Sequence, residues 1–287
     1  MSRTPLVPRL LLTALFVLLL AAPVSAAPEQ PTIIGGQTAA AGEFPYMVAL
    51  VQANGGSQFC GGSLIAANWV LTAAHCFYND DNNNPVQDTF AADVAIVAGV
   101  VDLTSVGSQT VGVTRIVMQD YGQNQSLDIA LLELAQPVTL GGSIEIIAVN
   151  TEGATPATGS STTITGWGAT TPDGNNPSNQ LLKVQVPVVA CDQGDDSSLF
   201  ICAGGVQGED SCQGDSGGPL VVDNGGGNFL QVGVTSSGPL TGCAQAGQYG
   251  IYTRVSQYSG WINQTIGAVT PPIIDADNYV FLPAVSR

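Results

Sequence analysis

Apolar and polar positions alternate along most of the chain in short runs rich in Val, Ile, Thr and Leu, and Gly, Asn and Pro separate the runs. This alternation is typical of β-strands that bury one face. Helical periodicity is weak except at residues 256–267, where we predict one C-terminal helix. Strands are predicted at residues 46–51, 95–99, 111–118, 129–134, 162–166 and 181–189, and residues 59–76 are predicted as strand, turn, strand and one helical turn.

The first part of the chain has the pattern of an export signal. Arg3 and Arg9 form a basic region before a short apolar run at residues 10–20, and a small-x-small cleavage motif follows at residues 24–26. The alternative, a membrane anchor, is disfavoured because the run is too short to span a bilayer. We predict a secreted protein whose segments are a signal peptide at 1–27, a short propeptide at 28–32, one folded domain at 33–267 and a C-terminal tail at 268–287.

Composition narrows the classes of function. With 6 basic and 22 acidic residues the formal net charge is −16, so the surface should repel nucleic acid and anionic membranes. Six cysteines in an exported chain suggest three disulfides, which allow fifteen pairings. One histidine and no C-x-x-C pair leave no zinc site, and the acidic loop at 78–88 has no EF-hand spacing, which favours a solvated loop over a calcium site. We predict no metal and no cofactor, no nucleic-acid or membrane partner, and a monomer.

The chemistry is concentrated in three places. Ser216 lies in a G-x-S-x-G pattern at residues 214–218, and a serine hydroxyl needs a base to become a nucleophile. His75 is the one histidine in the sequence, so it is the only candidate base of that type. Asp128 stands directly before an apolar strand, where an acid is costly unless it is paired. The order His, Asp, Ser excludes the α/β-hydrolases, whose acid and histidine follow the serine.

Four motifs in register carry a family resemblance. "IIGG" at 33–36, "TAAHC" at 72–76, "DIALL" at 128–132 and "GDSGGP" at 214–219 resemble the chymotrypsin–trypsin serine peptidases over about residues 33–267. The resemblance implies an all-β fold of two six-stranded antiparallel β-barrels with a C-terminal helix, and a catalytic cleft between the barrels.

The resemblance also implies the roles of the site residues. His75 acts as general base and then general acid, Asp128 orients it, and Ser216 attacks the scissile carbonyl. The N–H groups of Gly214 and Ser216 form the oxyanion hole. Ser236 in "TSSG" corresponds to a serine that supports the buried aspartate and borders the substrate.

Substrate preference is implied by residues close to the nucleophile. Asp210, six positions before Ser216, corresponds to the floor of the primary specificity pocket, where a carboxylate without a cation favours Arg or Lys substrates. Ser211 adds a hydroxyl, and Gly238 and Gly250 correspond to wall positions that leave room for a long side chain. The alternative is that Asp210 is an ordinary loop acid.

Two further features follow from the resemblance. The disulfides would join Cys60 to Cys76, Cys191 to Cys202, and Cys212 to Cys243. Cleavage before Ile33 would create an ammonium group that pairs with Asp215 and orders the oxyanion loop. Because Thr32 precedes the cut, we expect a protease of different specificity to activate the chain.

Two alternatives to a trypsin-like endopeptidase stay open at this point. One is a peptidase on the same fold with another substrate preference, because Ser237 stands where the family commonly has tryptophan and the loop before Cys243 is longer than usual. The other is a non-catalytic binding protein on this fold. A panel of substrates distinguishes the first alternative from a trypsin-like endopeptidase, and inhibitor labelling of Ser216 distinguishes the second.

Overall fold

A computed structural model describes residues 33–79, 85–153, 155–192, 194–239 and 241–267. The predicted signal peptide, propeptide and C-terminal tail lie outside the described residues. Within these ranges the chain forms sixteen strands and one α-helix: β1 (Gln37–Thr38), β2 (Met47–Gln52), β3 (Gln58–Ala66), β4 (Trp69–Thr72), β5 (Tyr78–Asn79), β6 (Val86–Gln87), β7 (Val94–Ala98), β8 (Gln109–Met118), β9 (Ala130–Leu134), β10 (Ala148–Val149), β11 (Ser161–Gly166), β12 (Leu182–Val189), β13 (Phe200–Gly204), β14 (Pro219–Asp223), β15 (Phe229–Ser237), β16 (Tyr249–Arg254) and α1 (Ser259–Ile266).

The strands form two closed antiparallel barrels, as predicted. The first barrel has the order β2-β3-β4-β9-β8-β7, and the second has the order β12-β11-β14-β15-β16-β13 and closes through the pairing of β12 with β13. Two short strands extend the second sheet outside its barrel. β1 pairs antiparallel with β12, and β10 pairs parallel with β15. The predicted fold class is confirmed, and that parallel pair is an addition to it.

The alternation of the sequence explains the barrel interiors. In β12 the apolar Leu182, Val184, Val186 and Val188 are buried, whereas the residues between them are at least partly exposed. They pack in the core of the second barrel together with Ile33. A separate core fills the first barrel, and a third cluster contains residues of both barrels and of α1. The third cluster therefore packs the two barrels against each other.

The predicted strands and helix agree with the structure to within one or two residues at most ends. The helix differs more, because residues 255–258 form a 3₁₀ turn and α1 begins only at Ser259. No helix among the described residues is long and apolar enough to cross a membrane. The last four long strands, β13 to β16, were not predicted, because their apolar runs are short or interrupted by glycine, as in "YGIYTR".

All six cysteines are bonded, in the three pairs that the resemblance implies. The bridge between Cys60 and Cys76 has a sequence separation of 16 and ties the turn that contains His75 to β3. On the chain-entropy account a loop of this length stabilises the fold by about 3 kcal/mol. The other two bridges join Cys191 to Cys202 and Cys212 to Cys243.

The three basic residues of the described chain all lie in strands. Arg115 in β8 binds Glu133 of β9, with Nε and Oε2 2.8 Å apart. Lys183 in β12 forms an ion pair with Glu43. Arg254, at the end of β16, is buried, and its guanidinium donates to backbone carbonyl oxygens of two neighbouring segments, 153–155 and 197–200.

Candidate active site

His75 begins a 3₁₀ turn just beyond the end of β4, where the disulfide of Cys76 holds the chain against β3. Its ring contacts Asp128, two residues before β9, and Nδ1 lies 2.8 Å from Oδ2. The backbone N–H of His75 donates to Oδ1 of the same carboxylate at 2.9 Å. Two contacts to one carboxylate fix both the position and the orientation of the ring. A ring nitrogen facing a carboxylate carries the proton, which leaves Nε2 as the basic atom.

Asp128 is almost fully buried but does not behave as an isolated buried acid. Burial raises its pKa, but the charge and hydrogen bonds of His75 and the hydroxyl of Ser236 outweigh burial, and the net pKa is lowered. The Ser236 hydroxyl donates to Oδ2 at 2.5 Å. The Thr253 hydroxyl donates to the backbone oxygen of Asp128 at 2.7 Å. Thr253 was missed in the sequence because a threonine inside a strand carries no functional signal.

Ser216 lies near the end of the loop at residues 205–218, between β13 and β14. Its carbonyl oxygen accepts a hydrogen bond from the N–H of Gly61 in β3 at 2.8 Å. The next residue, Gly217, has φ 78°, and a Cβ built there would lie 2.2 Å from Oγ1 of Thr72. Only glycine permits so close an approach. The loop of the nucleophile is thereby packed against the segment that leads into His75.

Gly214 has φ 95°, in the region that favours glycine. Its carbonyl oxygen accepts a hydrogen bond from Nε2 of Gln58 at 2.7 Å. Among the described residues, none accepts a hydrogen bond from the N–H of Gly214 or of Ser216. Two N–H donors without a protein acceptor suit a developing oxyanion. Gln58 was not predicted as a site residue.

Asp210 is 2% exposed. Its Oδ1 accepts the N–H of Ser211 and its Oδ2 accepts the N–H of Ala244, each at 2.9 Å. Burial raises its pKa, and the backbone donors offset only part of the increase. No Lys or Arg of the described chain forms an ion pair with it. The carboxylate is therefore held by backbone amides and not by a cation of the described residues.

Two of the predicted pocket residues, Ser211 and Gly250, lie close to the hydroxyl of Tyr252. Ser211 Oγ lies 3.1 Å from the hydroxyl of Tyr252, a residue that sequence reasoning missed. A Cβ at Gly250 would lie 2.9 Å from that hydroxyl, so a larger residue would collide with it. A Cβ at Gly238 would meet no described atom within 4 Å and would project into open space.

Both residues of the predicted activation pair, Ile33 and Asp215, are buried. Ile33 has 0% exposure in the core of the second barrel, and in this chain Thr32 precedes it through a peptide bond. The Asp215 carboxylate accepts the N–H groups of Gly168 at 2.8 Å and Cys212 at 2.9 Å. Burial raises the pKa of Asp215 to about 7. Within the described residues it has no cationic partner.

Comparison with known proteins agrees with this geometry. Residues 33–262 match the family described as Trypsin. The chain is 41% identical over 244 residues to Trypsin-1 of Astacus astacus, covering 80% of this chain and 98% of that protein. It is 37% identical over 249 residues to Trypsin of Sus scrofa, covering 84% and 98% respectively. Trypsin Blo t 3 of Blomia tropicalis is 36% identical over 244 residues, covering 80% and 84%. The chain therefore belongs to the trypsin family and is a serine endopeptidase.

Proposed function

We propose that this peptidase is secreted and cleaves protein and peptide chains after Arg or Lys. The observation that carries the preference is the Asp210 carboxylate, which is buried, held by two backbone N–H groups and without a cation among the described residues. A guanidinium or ammonium group entering the pocket would supply the missing charge. An aromatic side chain would leave the charge buried and unpaired, which costs several kcal/mol.

Catalysis is assigned to His75, Asp128 and Ser216. As Ser216 Oγ bonds to the scissile carbonyl carbon, Nε2 of His75 takes the hydroxyl proton, and the carbonyl oxygen becomes an oxyanion facing the N–H groups of Gly214 and Ser216. When the C–N bond breaks, His75 gives its proton to the leaving amine, and the acyl group stays on Ser216. Water then attacks the ester with His75 again as base, and collapse releases the acid and the free serine.

Asp128 serves this cycle by its contacts with His75. The carboxylate holds the ring by Nδ1, so the imidazolium that forms at each step lies next to a negative charge. Ser236 and the backbone N–H of His75 keep the carboxylate in place and ionised. The lowered pKa of Asp128 supports a role as a permanent anion that does not itself take the proton.

Activation would be a cut between Thr32 and Ile33 by another protease. The new ammonium group would provide the cation that the buried Asp215 lacks, and Asp215 lies between the two predicted oxyanion residues. Under this proposal residues 1–27 are the signal peptide, 28–32 the propeptide and 33–267 the catalytic domain, followed by the tail at 268–287. We propose a monomer for the active enzyme.

The test is kcat/KM of the protein beginning at Ile33 on arginyl and phenylalanyl peptide amides that are otherwise identical, with Ser216→Ala as control. We expect a strong preference for arginine and no turnover by the variant. A preference for phenylalanine would keep the nucleophile and overturn the assignment of Asp210. Turnover by Ser216→Ala would overturn the assignment of the nucleophile.

A second substrate preference has one observation in its favour. Ser237 ends β15 with its side chain exposed, and a Cβ at Gly238 would meet no described atom within 4 Å, so these two positions leave space at the proposed rim of the pocket. Such space would admit side chains of more than one shape. A panel of amides that varies the residue before the cut, lysine and leucine included, decides how far the preference departs from arginine.

A further inference from the structure

One strand of the first barrel donates two hydrogen bonds to the loop of the second barrel that contains Ser216. Gln58 and Gly61 both belong to β3, whereas Gly214 and Ser216 lie in the loop between β13 and β14 of the second barrel. Nε2 of Gln58 donates to the carbonyl oxygen of Gly214 at 2.7 Å. The N–H of Gly61 donates to the carbonyl oxygen of Ser216 at 2.8 Å. Both proposed oxyanion residues therefore have their carbonyl oxygens tied to β3.

These two bonds matter because an oxyanion donor works only if it already points at the developing charge. Glycine has the widest choice of backbone conformations, and Gly214 has φ 95°, so its own sequence does not fix its orientation. Anchoring the carbonyl of Gly214 restricts the rotation of that residue and with it the direction of its N–H. The backbone bond from Gly61 cannot vary with sequence, whereas the bond from Gln58 is made by a side chain and can be lost.

We propose that Gln58 is a positioning residue of the oxyanion hole. It does not touch the substrate, and it acts through Gly214. This inference rests on the proposed catalytic roles of Gly214 and Ser216. Its effect should appear where the oxyanion forms and not where the substrate side chain binds.

The neighbourhood offers a matched control. Ser63, also in β3, donates from Oγ to Oε1 of Gln231 in β15 at 2.6 Å. This is a second side-chain hydrogen bond between the two barrels, fully buried, and it involves neither the nucleophile loop nor the pocket of Asp210. Ser63→Ala therefore reports what losing a hydrogen bond between the barrels does in general.

The experiment uses the protein beginning at Ile33 with Gln58→Leu, Gln58→Glu and Ser63→Ala, each corrected for active sites by burst titration. Four quantities are measured: kcat, KM, the inhibition constant of a peptidyl arginine aldehyde, and that of benzamidine. The aldehyde forms a hemiacetal with Ser216 whose oxygen occupies the oxyanion hole, whereas benzamidine binds only the pocket of Asp210.

We expect Gln58→Leu to lower kcat about 10-fold, as for loss of one hydrogen bond, and to weaken binding of the aldehyde by the same factor. Gln58→Glu should lower both by about 100-fold, because its carboxylate repels the carbonyl oxygen of Gly214 while its size matches glutamine. KM and the affinity for benzamidine should stay unchanged in both. In Ser63→Ala the ratio of aldehyde to benzamidine affinity should equal that of the wild type.

Two outcomes would overturn the inference. Wild-type kcat and aldehyde affinity in Gln58→Glu would show that the residue only fills space, and equal losses for benzamidine and the aldehyde would show a general effect on the fold. Failure of the proposed substrate preference is seen separately, because it appears in the wild type. In that case the same comparison is made with the substrate that the wild type prefers and its matching aldehyde.

Discussion

The segment before β9 that contains Asp128 and the loop that contains Asp210 and Asp215 both bury carboxylates almost completely. At Asp128, His75 and Ser236 outweigh the cost of burial and the pKa is lowered. At Asp210 and Asp215 backbone N–H groups are the main donors, burial prevails, and the pKa is raised in both. Carboxylates that are similarly buried thus have pKa values shifted in opposite directions. The shift is downward at Asp128 because His75, its partner, can carry a positive charge.

This contrast separates a carboxylate that has a basic partner among the described residues from two that do not. His75 already faces Asp128, so the proposed catalytic pair is in contact in the folded chain without a further partner. Asp210 and Asp215 form no ion pair with a basic side chain of the described residues. Under the proposed function the substrate side chain would supply a cation to Asp210 and the ammonium group of Ile33 would supply one to Asp215. The loop would then sense both substrate and processing by the same physical means.

The largest effect is expected from a substitution that breaks the pair of Asp128 and His75. Asp128→Asn should lower kcat by about 10⁴-fold, the scale known for the triad of the chymotrypsin family. The amide keeps the shape but neither holds the required tautomer nor stabilises the imidazolium. Arginyl and phenylalanyl substrates should lose activity by the same factor, and benzamidine should bind as in the wild type. A loss confined to one substrate would contradict the assignment of Asp128 as the partner of His75.

The next largest effect is expected at Asp210, which has no ion pair among the described residues. Asp210→Asn should lower kcat/KM for arginyl amides by about 10³-fold, since an unpaired buried charge costs about 3–5 kcal/mol. Here the stranded charge is the guanidinium of the substrate, so phenylalanyl amides should be little affected.

Glu209→Gln is the matched control for Asp210, because it neutralises the adjacent acid. It should keep the arginine preference. Survival of that preference in Asp210→Asn, or its loss in Glu209→Gln, would assign the pocket to a different carboxylate.

A third expected effect, similar in size to the second, concerns stability and sharpens the comparison at Asp215. In the unfolded chain its pKa is near 3.8, and in the folded chain that still includes Thr32 it is about 7. Between these pH values unfolding releases a proton, so the contribution of Asp215 to stability falls as pH rises from about 4 to 7 and is constant outside that window. The loss amounts to about 4 kcal/mol.

Unfolding by denaturant between pH 4 and 8 measures this loss in the uncut chain, with Ser216→Ala present to prevent self-cleavage. Relative to that background, adding Asp215→Asn should be most stabilising near pH 8. In protein beginning at Ile33 the sign should reverse, because the ammonium group pairs with Asp215 and lowers its pKa. Parallel pH curves for the cut and uncut forms would contradict the proposed switch.

The sequence predicts the parts of the fold that depend on local pattern. In β12 the strict alternation from Leu182 to Val188 identifies a half-buried strand without other information. Asp128 was found because an acid beside an apolar strand needs a partner, and His75 because the sequence has no other histidine. Their meeting at 2.8 Å agrees with that reasoning, and the catalytic roles stay predictions until activity is measured.

The parts that sequence does not predict depend on pairings between distant segments. Gln58 and Gly214 are 156 positions apart, and nothing in the composition around a strand glutamine indicates a carbonyl partner in the other barrel. Thr253 reaches the backbone of Asp128 across 125 positions in the same way. The two-residue β10 is too short to have a pattern, and its parallel pairing with β15 is decided by the packing around it.

The placement of the basic residues has a consequence for the lifetime of the enzyme in concentrated solution. A peptidase binds its substrate as an extended segment, and Arg115, Lys183 and Arg254 lie in barrel strands whose edges are already paired. A second enzyme molecule that cuts after basic residues could reach these bonds only after the strand had left its barrel. The rate of self-digestion of the described domain would then be set by how fast or how far the domain unfolds. Reagents that slow unfolding would preserve activity even though they leave the active site untouched.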